Sequence, residues 1–201
     1  MTETQPAPGT PAAPPGQTVE QVSSRVAYES RYLRLREDTV RWPHGTPGLY
    51  SYIERPDFAL IIAVENGGFH LVEQYRYPLR KRSWEFPQGT HPGLAPTTDA
   101  HALAHAELRQ ETGLRARTMR FLGQLDCAKG FARQGCHVFV ASGLSQGEQE
   151  LETEEQDLIH QWFPRSEVEQ MIRSGRITDD ATVAAYALLL LSPEPWDQPN
   201  A

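Results

Sequence analysis

A chain of 201 residues is long enough for one domain with a substantial buried core, and its 39% hydrophobic and 22% charged content is ordinary for a folded globular protein. The net charge of −7 argues against binding nucleic acid through the phosphate backbone, which needs clustered Lys and Arg; it fits a small-molecule enzyme or a holder of cations. No apolar run approaches membrane-spanning length and the N-terminus lacks the pattern of a signal peptide, so a cytoplasmic protein without a membrane partner is expected.

Residues 1–18 are dominated by Pro, Ala, Thr and Gly, including Pro6, Pro8, Pro11, Pro14 and Pro15. Such a segment buries too little apolar surface to offset its ordering entropy, so residues 1–20 are expected to form a disordered tail. The pattern changes at Val26. Residues 32–36 alternate, and residues 39–42 run into Pro43-His44-Gly45, a turn signal. Residues 49–53 are a further strand candidate. Residues 58–64 form a continuous apolar run between Pro56-Asp57 and Asn66-Gly67-Gly68, the signature of a buried central strand and a hairpin, with residues 70–77 as the partner.

A Pro- and Gly-rich loop follows. Thr98 or Asp99 can cap a helix that runs to Thr112, with Gly113 as its C-cap. Strands are expected again at 118–125 and 137–141, an acidic loop at 146–157, and helices at 166–174 and 181–191. The order predicts a mixed α/β layered domain over 57–192, preceded by strands at 21–56 and followed by a flexible tail at 193–201. Cys127 and Cys136 form no CxxC motif and read as two reduced thiols.

Glu107 and Glu111 are four residues apart and share one helix face, with Gln110 beside them. Carboxylates on adjacent turns suit Mg²⁺, which takes oxygen ligands and substrate phosphates. An arbitrary Glu pair is more often a solvated face. Here a tight turn, Pro87-Gln88-Gly89, precedes the helix and can fold a backbone carbonyl back toward it. His101 and His105 are also four apart, but lie roughly opposite the Glu pair at about 100° per residue, so a surface pair is the expectation.

Gly89 followed by Glu107-Leu108-Arg109-Gln110-Glu111-Thr112-Gly113-Leu114 resembles the Nudix box. The spacing is stretched by three residues, and Thr98, Ala106 and Gln110 stand where the box has Glu, Arg and Glu. If that Glu and Arg brace one another, their joint absence leaves no unpaired charge. The resemblance implies an α/β (α+β) fold: an α/β/α sandwich with a mixed sheet, plus short N-terminal antiparallel strands. It implies that Glu107 and Glu111 are catalytic and hold Mg²⁺ (or Mn²⁺), that the carbonyl of Gln88 or Gly89 adds a ligand, and that Gln110 ligates weakly or orients water.

The similarity spans roughly residues 25–191. Residues 54–57, 71–78, 84–89 and 174–182 resemble the ADP-ribose pyrophosphatase branch. That branch implies substrate contacts at Gln74, Arg76 and Glu85, with Arg55 a weaker candidate. A guanidinium suits phosphate oxygens, although Arg76 could equally form a structural ion pair with Glu85. A Glu of the acidic loop is implied as the base that activates water. Glu154 matches it best; the neighbouring metal position falls on Gln156, for which Glu155 or Glu152 can substitute. The expected reaction is Mg²⁺-dependent hydrolysis of a nucleoside diphosphate sugar, foremost ADP-ribose to AMP and ribose 5-phosphate. The alternatives are the same chemistry on other sugar nucleotides or dinucleoside polyphosphates, and a nucleotide-binding or sensor module with little hydrolysis. A homodimer packed through the N-terminal strands is implied, keeping Tyr32 and Trp42 in view as nucleoside contacts.

Overall fold

The computed structural model describes residues 18–91, 93–94, 96–97, 99–151 and 155–193. In chain order it contains β1 (Glu20–Glu29), β2 (Arg34–Arg41), β3 (Pro47–Glu54), β4 (Phe58–Glu65) and β5 (Gly68–Arg76). A 3-10 turn (Tyr77–Leu79) leads to β6 (Lys81–Glu85), β7 (Gln88–Gly89), α1 (Ala100–Thr112), β8 (Leu114–Asp126), β9 (Ala132–Arg133), β10 (Gly135–Gln146), β11 (Ile159–Pro164), α2 (Arg165–Arg173) and α3 (Asp180–Leu191).

β4 explains the continuous apolar run. It lies in the middle of a seven-stranded sheet ordered β11-β5-β4-β10-β8, with β6 on β5 and β7 on β4. Residues 59–63 are wholly inaccessible because both faces are covered. Leu60, Ile62 and Val64 pack with Val168 and Met171 of α2 and Ala185 and Leu189 of α3. Ala59, Ile61 and Ala63 pack with Leu103, Ala104 and Leu108 of α1. β4 is parallel to β10 and antiparallel to β5, so the sheet is mixed and the α/β/α sandwich is the fold observed. The hairpin into β5 turns on Asn66 (φ 49°) and Gly67 (φ 72°), the paired positive φ values of a type I′ turn. β1, β2 and β3 form an antiparallel meander, to which β9 adds in parallel.

Strands β6, β7, β9 and β11 lie outside the sequence patterning, and β1, although it falls within the strands expected over 21–56, carries no alternation of its own. Every residue of β1 is exposed, so no face demanded apolar side chains and no alternation marks it before Val26. In β11 only Phe163 is buried. β8 and β10 also extend beyond residues 118–125 and 137–141, through stretches carrying Arg115, Arg117, Ser142 and Ser145. Most of the expected tails, 1–20 and 193–201, lie outside the described residues, and β1 already begins at Glu20. Among the described residues no helix is long and apolar enough to cross a membrane.

Candidate active site

α1 is held at both ends as its sequence demands. Asp99 accepts from the Ala102 N–H at 2.9 Å and caps the N-terminus. Gly113, at φ 74°, ends the helix and donates to the Arg109 carbonyl at 2.9 Å. Leu103 and Leu108 are buried against the sheet, each contributing on the order of 1.5–3 kcal/mol, and this fixes the helix rotation. Glu107 and Glu111 are thereby carried to the flank beside β7. Glu107 is 7% exposed and Glu111 is 0% exposed, a placement that ionisable groups tolerate only with partners.

The chain reverses between β6 and β7. The Pro87 carbonyl accepts from Ile61 N at 2.9 Å, and Gln88 N donates to Glu111 Oε2 at 2.9 Å. Gly89 lies flush against Glu107: a Cβ built there would sit 2.5 Å from Glu107 Cδ and 2.7 Å from Oε1. Glu111 Oε1 is buried with no hydrogen-bond partner. Burial, first, raises the Glu111 carboxyl well above its ordinary range; Glu107, Glu155 and Glu85 raise it further, against the hydrogen bond from Gln88. An orphan carboxylate oxygen inside a desolvated, like-charged cluster fits a divalent cation, which would stabilise the charged form. Among the described residues no three His, Cys, Asp or Glu side chains form a closed cage. A cation on Glu107 and Glu111 can take further oxygens from backbone carbonyl, water or ligand phosphate, as Mg²⁺ commonly does.

Glu85, 1% exposed, ends β6 on the same side. Arg76 grips it with both limbs of its guanidinium, the Nε to Oε2 distance being 3.2 Å, and Gln74 donates to Oε1 at 3.1 Å. The structural ion pair anticipated for Arg76 is thus formed, using two of its five donors. Burial is the largest influence on Glu85 and outweighs Arg76, so its carboxyl is raised. Arg55 lines a separate cavity of about 310 Å³ with Arg34, Arg36, Glu54, Asp57 and Arg133. The cavity adjoins the loop after Gly89, since the Asp57 carbonyl accepts from Thr90 at 3.1 Å and Thr97 at 2.5 Å.

The acidic loop is tied to the end of α1. Gly147 N donates to Gly113 O at 2.9 Å, Glu150 N to Gln110 O at 3.1 Å, and Gln149 Nε2 to Glu111 O at 2.6 Å. These bonds satisfy carbonyls that a helix terminus leaves unpaired. Glu155 returns close enough to raise Glu111. Glu152, Glu154 and Thr98 lie outside the described residues. The His101 and His105 rings lie 4.9 Å apart, tilted at 60°, and His101 packs edge-on to Phe139 of β10 with its Nε2 3.1 Å from the Met119 carbonyl of β8. Tyr32 is exposed, and Trp42 packs near Tyr50 at 6.3 Å. Sequence reasoning did not single out Asp179 and Thr182, which bond to the 86–89 turn. Their signal was the hydroxyl and carboxylate opening an otherwise apolar helix.

The NUDIX domain model matches residues 54–185. The chain belongs to the Nudix family. The model for the nucleoside diphosphate sugar hydrolase N-terminal domain matches residues 19–53, the meander. An ADP-ribose pyrophosphatase of Mycobacterium tuberculosis is 34% identical over 185 residues, covering 90% of this chain and 87% of that protein. A methanol dehydrogenase activator of Bacillus methanolicus is 32% identical, covering 85% and 91%. The crystal structure of an ADP compounds hydrolase superposes with a TM-score of 0.76 at 18% identity, covering 87% of this chain and 94% of that one, which fixes the fold. The protein is a Nudix pyrophosphohydrolase.

Proposed function

We propose that this Nudix enzyme hydrolyses ADP-ribose to AMP and ribose 5-phosphate, using Mg²⁺ or Mn²⁺ held by Glu107 and Glu111. The observation that carries the reading is the wholly buried Glu111, its Oε1 unpartnered, beside a Glu107 pressed against Gly89. When bound, the cation supplies charge neutralisation at the phosphates and lowers the pKa of a coordinated water. The Gly89 carbonyl adds an oxygen ligand, Gln110 orients water through its neutral amide, and Glu155 adds a further acidic contact. Glu154 takes the proton from the attacking water. The water oxygen bonds to phosphorus as the bridging P–O bond breaks.

Arg76, set by Glu85 and Gln74, holds a phosphate. Arg55 does the same at the cavity it shares with Arg34, Arg36 and Arg133, a lining whose charge suits an anion. Similarity to the Mycobacterium tuberculosis ADP-ribose pyrophosphatase supports the substrate. The meander over 21–56 is assigned to dimerisation with a second copy, because β1 leaves Val22, Val26 and Tyr28 exposed. The domain over 57–192 carries the chemistry, in a cytoplasmic protein that binds neither nucleic acid nor membrane.

The test is turnover of a panel of ADP-ribose, other sugar nucleotides and dinucleoside polyphosphates with Mg²⁺ or Mn²⁺, with Glu111→Gln as control. Metal-dependent turnover of ADP-ribose that the substitution abolishes supports the reading. ADP-ribose binding without turnover selects the sensor alternative, for which Thr98, Ala106 and Gln110 in the box speak.

A further inference from the structure

The turn that presents Gly89 to Glu107 is tied to a third element, α3, at the opposite end of the domain sequence. Phe86 and Thr182 are both fully buried, and Phe86 N donates to Thr182 Oγ1 at 3.0 Å. Asp179 Oδ2 accepts from Thr182 N at 2.8 Å and from Gln88 Nε2 at 3.2 Å. One carboxylate therefore caps α3 and reaches the turn. Pro87 has no N–H to offer. The donors of the turn thus divide between two helices: Phe86 N and the Gln88 amide go to α3, and Gln88 N goes to Glu111 on α1.

The hydroxyl at 182 stands in apolar company. Ala181, Ala185 and Leu189 of the same helix are buried in the core, and packing alone would be served by Val. What Val lacks is an acceptor for the Phe86 N–H. A buried N–H left unpaired is costly, so the turn would shift to satisfy it, and Gly89 would move with it.

We propose that Thr182, assisted by Asp179, is a positioning residue that sets the 86–89 turn against the metal-holding carboxylates of α1. The proposal rests on the reading that Glu107, Glu111 and Gly89 hold a divalent cation. It assigns the first turn of α3, outside the box, a part in metal affinity.

The test compares Thr182→Val, Thr182→Ser and Gln88→Met with wild type. Mn²⁺ binding is read from the electron paramagnetic resonance signal of free Mn²⁺, well below each melting temperature, beside the melting curves themselves. Thr182→Val weakens Mn²⁺ binding by about 10- to 100-fold, the usual cost of losing a group that orients a ligand. Thr182→Ser restores wild-type affinity, and Gln88→Met weakens binding in the same direction as Val. If Val lowers the melting temperature but leaves Mn²⁺ affinity unchanged, or if Ser and Val weaken it alike, the positioning role is overturned. If Thr182→Val does not fold, Gln88→Met decides, and wild-type affinity in that variant overturns the proposal. Wild-type protein without saturable Mn²⁺ binding overturns the metal reading itself, a result separate from any variant.

Discussion

Replacing Gly89 by Ala tests the site with a single methyl group. Gly89 is not among the glycines at positive φ, so Ala suits the backbone and the cost is steric alone. The new Cβ would lie 2.5 Å from Glu107 Cδ, whereas ordinary contact begins at 3.4 Å, so the carboxylate must retreat by about 1 Å. It sits at the end of a flexible side chain and can move, which keeps the fold penalty near 1 kcal/mol, or roughly 2–4 °C in melting temperature. The chemistry is less tolerant: a misplacement of about 1 Å costs on the order of 10²-fold in rate. The expected result is a near-normal melting curve with kcat/KM for ADP-ribose reduced by that factor at saturating Mg²⁺. Adding Glu107→Asp withdraws the carboxylate by about 1.5 Å, one carbon–carbon bond, and should return part of the loss. Gly89→Ala that stays within about a factor of ten of wild type, or a loss that Asp deepens, would refute the close packing of Gly89 and Glu107 as a functional constraint.

Glu111→Gln removes a charge proposed to hold the cation and should lower turnover on the order of 10³-fold, the equivalent of several kcal/mol of charge stabilisation. The same change should steady the metal-free protein at higher pH. The Glu111 carboxyl is raised in the fold above its unfolded value, so its stability contribution is complete below the ordinary carboxylate range and is lost as pH rises through the raised value. Melting in EDTA from about pH 5 to 8 should therefore show a decline in wild type that is shallower in Glu111→Gln; parallel curves would contradict the assignment. Arg76→Met should cost about 1–3 kcal/mol in a denaturant titration, because Glu85 is left buried while the Arg76 side chain was 37% exposed; a midpoint unchanged from wild type would contradict it. Asp99→Ala should cost about 1 kcal/mol of helix capping by the same measurement, and Asp99→Ser should recover most of it.

How much of this was legible in the sequence depended on whether a residue's reason was local. The cap at Asp99, the stop at Gly113, the spacing of Glu107 and Glu111 and the both-faced burial of residues 58–64 each follow from one segment, and each stands where the pattern placed it. No alternation marks β1 before Val26, because a strand exposed along its whole length imposes none. Arg76 was legible as a charge but not as a choice between phosphate and Glu85, since nothing in residues 74–85 reveals that Glu85 is 1% exposed. The Gln149 and Thr182 contacts were illegible for the same reason. Each pairs with backbone 38 and 96 positions away, and a sequence carries no mark of which distant N–H or carbonyl needs a partner.

The pairing of these backbone groups also lets the site be so acidic and still well placed. Glu107 and Glu111 repel one another, and burial makes the repulsion worse, so the carboxylates cannot organise the site themselves. Much of the order comes from bonds to backbone groups around them. Pro87 O is fixed to β4, Phe86 N and the Gln88 amide to α3, Gln88 N to Glu111, and the last carbonyls of α1 to the 147–150 loop. The bonds of Pro87 O, Phe86 N and the last carbonyls of α1 involve neither the Glu107 nor the Glu111 carboxylate. The frame therefore keeps its geometry whether or not a cation is present, and the energy of binding one need not be spent on building the place where it binds.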